Sequence, residues 1–183
     1  MKEISLNILD IAENSVKAKA TLVEITVTET ADTLTLTVKD DGTGMTKDVL
    51  LSVTNPFYTT RTTRKVGMGI PLLQFAAEQT GGNIKIESKH FSEYPDEHGT
   101  TVTALFYKNH IDFTPLGDVI SSVTTLIQGH PETDFLYKHS FSDKTVMLDT
   151  REIRAVLEGV PLDTFEVLIW IRDNLREQYD ENQ

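Results

Sequence analysis

Ile4, Ile8, Ile11, Ala12 and Ser15 recur at spacings of three and four, which predicts a helix over about 4–18. Val23, Ile25 and Val27 then alternate with polar residues, as a half-buried strand does. A turn follows at Ala31-Asp32, and Leu34, Leu36 and Val38 repeat the alternation, so the two runs predict an antiparallel hairpin. From about 52 to 66 the chain is rich in Thr and Arg and has no period. A stretch that long without structure in a compact domain points to a functional loop. A helix is predicted to begin near Pro71, with Leu72, Leu73, Phe75, Ala76 and Ala77 as its apolar residues and Gly81-Gly82 as its stop. Ile84 and Ile86, then Val102, Ala104 and Phe106, predict two more strands around a polar loop over 88–98. Helix, hairpin, loop, helix, hairpin is the order of an α+β fold, a two-layer α/β sandwich, and not of a doubly wound parallel sheet.

After about residue 110 the pattern restarts. Leu116 to Ile127 reads as a helix, and Phe135 and Tyr137 followed by Val146 and Leu148 read as a short hairpin. Asp149-Thr150-Arg151-Glu152 is a capping box, and Gly159 with Pro161 stops the helix it opens. Asp163-Thr164-Phe165-Glu166 is a second box, opening an amphipathic helix to about 178. The expected division is a domain over 1–110 and a small α/β extension over 111–183.

Composition narrows the classes. The chain has 183 residues and no cysteine, which excludes disulfides, thiolate metal sites and cysteine nucleophiles. The formal charge is −11. Residues 1–110 carry 14 acids and 11 bases, whereas residues 111–183 carry 14 acids and 6 bases, so the extension holds most of the excess. Phosphate contacts need Lys and Arg, so a nucleic-acid partner is not expected, and the acidity suits solubility or a basic protein partner. No apolar run is long enough to span a bilayer, and the N-terminus lacks the apolar core of a signal peptide, so a cytoplasmic protein is expected.

Four short stretches carry candidate chemistry. Asp10 and Asn14 lie four apart on the first helix and share a face. A carboxylate beside a neutral amide oxygen suits magnesium held together with phosphates and waters, and the carboxylate could orient a water as general base. Asp41-Gly42-Thr43-Gly44-Met45 follows a strand, where glycine allows close backbone approach and a carboxylate can accept from an exocyclic amine. Gly67-Met68-Gly69-Ile70 opens a helix behind Arg61, Arg64 and Lys65, a setting for an anionic phosphate. It is not a Walker A loop, whose Gly-x-x-x-x-Gly-Lys-Ser/Thr is absent. His98-Gly99-Thr100-Thr101 begins the last strand of the first unit, with hydroxyls suited to an adenine edge or a neighbouring water.

Taken singly, each stretch also fits a plain surface helix, turn, helix entry or strand start. In this order and spacing, over roughly residues 4–106, they resemble the GHKL ATPase superfamily, which includes gyrase B, HSP90, MutL, sensor histidine kinases and anti-sigma-factor kinases. The stretch from Asp10 to Thr21 is similar to the MutL form of the first box. Asn55-Pro56-Phe57-Tyr58-Thr59-Thr60 with Gly67-Met68-Gly69-Ile70 is similar to the sensor-kinase lid.

The resemblance implies a Bergerat-type fold with ATP and Mg2+ as ligands. It implies Asn14 as the magnesium ligand and Asp10 in the position of the Glu general base. Asp41 would contact the adenine amine, with Thr100 or Thr101 in support. Gly42, Gly44 and Met45 would shape the adenine pocket, and Arg64, Lys65, Gly67, Met68, Gly69 and Ile70 would lie along the phosphates. Asp10 is one methylene shorter than the usual Glu, which makes hydrolysis a weaker expectation than binding. The His-Glu-x-x-x-x-Pro phosphoacceptor helix of a sensor kinase does not occur, and His90, His98, His110, His130 and His139 are scattered. In Leu148-Asp149-Thr150-Arg151-Glu152-Ile153 and Val160-Pro161-Leu162 the extension is similar to those of stand-alone ATP-binding proteins encoded beside hydrogenase and NADH-dehydrogenase-like subunits, and a plain packing extension over the sheet is the alternative. The resemblance therefore implies a regulatory protein acting on a protein partner, as a kinase in trans or a slow ATPase. The alternative is a non-hydrolysing ATP sensor.

Overall fold

The structure is a computed structural model and describes residues 3–54 and 68–181. Its elements are α1 (Ile4–Lys17), β1 (Leu22–Glu29), β2 (Thr33–Asp40), α2 (Lys47–Thr54), α3 (Gly69–Gln79), β3 (Asn83–Lys89) and β4 (Gly99–Tyr107). The rest are α4 (Val119–Gly129), β5 (Asp134–Phe141), β6 (Lys144–Asp149), α5 (Thr150–Leu157) and α6 (Phe165–Glu181). The strands form one sheet in the order β3-β4-β2-β1-β5-β6. All neighbouring pairs are antiparallel except β1 and β5, which run parallel.

One face of the sheet is apolar because the alternating positions are in phase across the register. Ile25 sits beside Val38 on one side and Tyr137 on the other, and Val38 sits beside Val102. Helices cover this face in the order α3, α1, α4, α6, so the fold is the expected α+β two-layer sandwich. Ile4, Ile8, Ile11, Leu36, Phe106, Leu126, Phe135 and Ile171 are among the fully buried core residues. Each large apolar side chain removed from water contributes about 1.5–3 kcal/mol. The opposite face presents Thr26, Thr35, Thr37, Thr103, Lys39 and Glu24, which explains why these strands alternate rather than read as continuous apolar runs.

Residues 111–183 build onto the same two layers. β5 extends the sheet at β1, and α4 packs between α1 and α6. The segment before α4 also caps α1, whose N-terminus has no side-chain cap: the Ile4 and Ser5 amides donate to Pro115 O and Leu116 O at 2.9 and 2.8 Å. The first predicted box is made only as an N-cap: the Asp149 carboxylate accepts from the Arg151 amide at 3.0 Å, with no return bond from Glu152 among the described residues. The second is not made: α6 begins at Phe165, and the Thr164 hydroxyl donates back to Pro161 O at 2.8 Å. A helix unexpected from the sequence, α2, occupies Lys47–Thr54 and takes in the first residues of the expected loop. Only Val53 of its eight residues is buried, although Val49, Leu50 and Leu51 are apolar as well.

Candidate functional site

β2 ends in Asp40, which continues the inward phase of Leu34, Leu36 and Val38 and is therefore buried. Its Oδ1 accepts from the Gly42 amide at 2.9 Å and the Thr100 amide at 3.2 Å, and its Oδ2 accepts from the Ser15 hydroxyl at 2.6 Å. A carboxylate has about four acceptor positions. Three are filled, and one on Oδ2 remains. The Thr100 hydroxyl lies 2.8 Å from Ser88 Oγ, which accepts from the Met45 amide at 2.7 Å. Asp40, Ser15, Ser88 and Thr100 thus tie α1, β2, β3 and β4 together at one end of the sheet.

Asp41, expected as the ligand carboxylate, is turned away. It is exposed, and its oxygens accept from the Thr21 amide at 2.7 Å, the Leu22 amide at 2.9 Å and the Thr21 hydroxyl. Partial burial pushes its carboxyl up, but the Leu22 amide and the Thr21 hydroxyl and amide together hold it below the usual value. Its role is to fix the loop to the start of β1. Thr101 is likewise out of the site: it pairs with Lys39, on the face of the sheet opposite Thr100. The reason is the strand period of two, which puts neighbours on opposite faces.

Gly42 and Gly44 shape the loop. The Gly42 carbonyl accepts from His98 Nδ1 at 2.5 Å, and that partner requires the Nδ1–H form of the ring. Met45 packs half-buried against the core. Gly44 has φ +69°, and a Cβ there would stand 1.9 Å from Lys89 O. Gly44→Ala is expected to destabilise the fold by at least about 2 kcal/mol, through positive-φ strain plus displacement of the β3 end. Urea unfolding checks this; an unchanged midpoint would contradict it.

Asp10 and Asn14 stack on one face of α1, exposed and half-buried respectively. Neither side chain has a hydrogen-bond or ion-pair partner among the described residues. Gly69, the first residue of α3, lies directly against them: a Cβ there would come within 3.0 Å of Asp10 Cβ and 3.6 Å of Asn14 Nδ2. The helix N-terminus therefore reaches the α1 face only because residue 69 has no side chain. Ile70 is buried behind it and Met68 is exposed. Arg64, Lys65, Gly67 and Asn55 to Thr60 lie outside the described residues.

These groups fit ATP and magnesium. An amide oxygen and a carboxylate oxygen, both uncommitted, are hard ligands of the kind Mg2+ takes while keeping waters and phosphate oxygens. No cluster of three or more His, Cys, Asp or Glu occurs among the described residues, so these residues make no all-protein metal cage. A buried carboxylate with one open acceptor position fits an exocyclic amine.

A second polar cluster sits at the other end of the sheet, beside a cavity of about 670 Å3. Glu29 accepts from His139 Nε2 at 3.0 Å and from Lys108 Nζ at 2.7 Å. His139 Nδ1 lies 2.8 Å from the Tyr179 hydroxyl, which lies 2.7 Å from that of Tyr137. Burial pushes the Tyr179 hydroxyl up to about 12, so it stays protonated. The His139 hydrogen bond, assisted by Lys108 and opposed by burial, holds Glu29 down to about 2.

Sequence reasoning missed Asp40, Ser15 and Ser88. The signal for two of them was the strand alternation carried to its end: Leu34, Leu36, Val38 leads to Asp40, and Ile84, Ile86 leads to Ser88.

The family described as histidine kinase-, DNA gyrase B-, and HSP90-like ATPase matches residues 2–110. Sporulation kinase C of Bacillus subtilis (strain 168) is 32% identical over 91 residues, 49% of this chain and 20% of that protein. The chain thus spans about a fifth of this relative's length. Among solved structures, the Aquifex aeolicus MutL ATPase domain complexed with ADP aligns with a TM-score of 0.56 at 17% identity, covering 86% of this chain and 70% of that one. The N-terminal domain of a DNA repair protein aligns with a TM-score of 0.53 at 14% identity, covering 81% and 53%. At these identities the two structures speak for the fold. Among the described residues, no helix is long and apolar enough to cross a membrane.

Proposed function

The chain belongs to the histidine kinase-, DNA gyrase B-, and HSP90-like ATPase family and carries its ATP-binding domain, and on that premise we propose that it is an ATP- and magnesium-dependent regulatory protein acting on a protein partner. The observation that carries this reading is the α1 face, where Asp10 and Asn14 stand without partners among the described residues, against the side-chain-free start of α3. Asp40, in place of Asp41, accepts from the adenine amine with its open position on Oδ2. Thr100 holds Asp40 in place through its amide. Asn14 offers its amide oxygen to the cation. When bound, Mg2+ neutralises charge on the phosphate oxygens. Asp10 takes a proton from the attacking water, or from a partner hydroxyl or imidazole, as the new bond to the γ-phosphorus forms, the bond from that phosphorus to the β,γ-bridging oxygen breaks and ADP leaves with that oxygen's electron pair. The likeness to a sporulation kinase supports phosphoryl transfer as the chemistry, and the missing methylene at Asp10 supports slow turnover.

The test is purified protein with magnesium and γ-labelled ATP, following free phosphate and label on the protein together. Asp10→Asn is expected to lower phosphate release by about a hundredfold while ATP affinity stays within about twofold. Equal release in both proteins would remove Asp10 from the role of base. A second reading, a non-hydrolysing ATP sensor, rests on the same shortened side chain. ATP binding without release or label, from the unmodified protein alone, would mean a sensor or a kinase awaiting its substrate, and would exclude the slow ATPase.

A further inference from the structure

The surface of residues 144–174 carries an apolar groove that the nucleotide site does not use. It has a volume of about 540 Å3 and is lined by Met147, Ile153, Val156, Leu157 and Trp170, with Asp149 and Glu152 as its charged residues. Two of these apolar side chains stand far into solvent: Val156 is 81% exposed and Trp170 is 54% exposed. Burial in the core does not explain them, and the neighbouring Val160 and Phe165 are exposed as well. Exposed apolar side chains gathered around one groove with a polar margin suit a contact site.

The charge around the groove selects its occupant. Glu152, Glu158, Asp163 and Glu166 have no ion-pair partner among the described residues. Glu152 precedes Val156, and Glu166 precedes Trp170, by four residues, so each lies one turn away on the same helix face. The cations nearby are taken: Arg151 pairs with Asp149 at 2.7 Å, and Arg154 with Asp134 at 2.7 Å. A second copy of this acidic surface would bring like charges together, and an anionic membrane would be repelled for the same reason.

The edge of β6 selects the occupant's shape. A groove beside an edge strand invites an added strand, which bonds to the free backbone groups. Here the Met147 amide donates to Gln178 Oε1 at 2.9 Å, and Met147 O accepts from Gln178 Nε2 at 3.0 Å. α6 thereby closes the edge at its middle, and an extended peptide finds no ladder to continue.

We propose that this groove between α5, α6 and β6 docks an amphipathic helix of a partner protein, apolar on the face it buries and basic along its flanks. This surface stands apart from the nucleotide reading and does not depend on it.

Trp170 is the protein's one tryptophan and lines the groove, so its fluorescence reports occupancy directly. The probe is a synthetic helix with leucines at i, i+3, i+4 and i+7 and lysines elsewhere. It is compared with its glutamate counterpart and with a scrambled lysine peptide of the same composition. The expected result is a saturable blue shift of Trp170 with the lysine helix alone. Val156→Asp, which keeps Trp170, is expected to weaken it by about tenfold or more. Glu152→Gln with Glu166→Gln is expected to weaken it and to flatten its salt dependence. Circular dichroism and urea unfolding of each variant separate lost docking from lost fold. Equal binding of the glutamate helix or the scrambled peptide would overturn the proposal. So would an absent shift, or a concentration-dependent shift without peptide accompanied by a dimer.

Discussion

Asp40→Asn is expected to weaken ATP binding by about a thousandfold, whereas Asp41→Asn leaves affinity within about threefold. The asparagine keeps an Oδ1 that accepts from the Gly42 and Thr100 amides, so the loop stays anchored. The change falls at Oδ2, where an NH2 group replaces the acceptor. The Ser15 hydroxyl can turn to accept from that group, having Ile11 O at 3.5 Å as an alternative acceptor. The adenine amine has no such freedom, and donor then faces donor. Losing a charge-assisted hydrogen bond and leaving a buried amine unpaired together cost about 4 kcal/mol. Asp41 instead holds Thr21 and Leu22, so its substitution is expected to lower stability by about 1 kcal/mol and spare the ligand. Calorimetric titration of ATP into both variants, with urea unfolding alongside, checks the pair. Loss of binding in Asp41→Asn with Asp40→Asn unaffected would return the adenine contact to Asp41.

Glu29→Gln is expected to remove much of the acid sensitivity of the fold. The Glu29 value in the folded protein is about 2, below its ordinary 4.5. Its carboxylate therefore contributes stability that is complete above pH 4.5 and is lost as pH falls from there through about 2. A depression of that size corresponds to about 3 kcal/mol. The wild-type urea midpoint is accordingly expected to fall steeply below pH 4.5, by about 1.5 M for an m-value near 2 kcal/mol/M. In Glu29→Gln the midpoint is lower at pH 7 and changes less on acidification. Because His139 and Tyr179 tie Glu29 to α6, hydrogen exchange at the α6 end is expected to rise in the same variant. Parallel acid limbs for the two proteins would show that other carboxylates govern the transition.

The periods of the chain determined most of the architecture. A 3.6-residue repeat at Ile4, Ile8 and Ile11 specifies a helix with Asp10 and Asn14 together on one flank of its apolar stripe, and alternation at Val23 to Val38 specifies a hairpin with one wet face. These are local properties of side-chain direction, so they can be read without a partner. The order of the four motifs also identified the nucleotide-binding family, since each residue type is tied to ligand chemistry.

Tertiary structure decided what depends on residues distant in sequence. Which groups fill the acceptor positions of the buried aspartate depends on Ser15 and Thr100, 25 and 60 residues away from Asp40. The parallel pairing of β5 with β1 depends on a crossover through α4, and no local signal states which strand a new strand will join. The groove beside Trp170 exists because α5, α6 and the β6 edge that Gln178 closes come together, a juxtaposition of segments each ordinary alone. Side-chain direction is a one-dimensional property that a chain carries with it, whereas burial and hydrogen-bond partners are created only when the layers close.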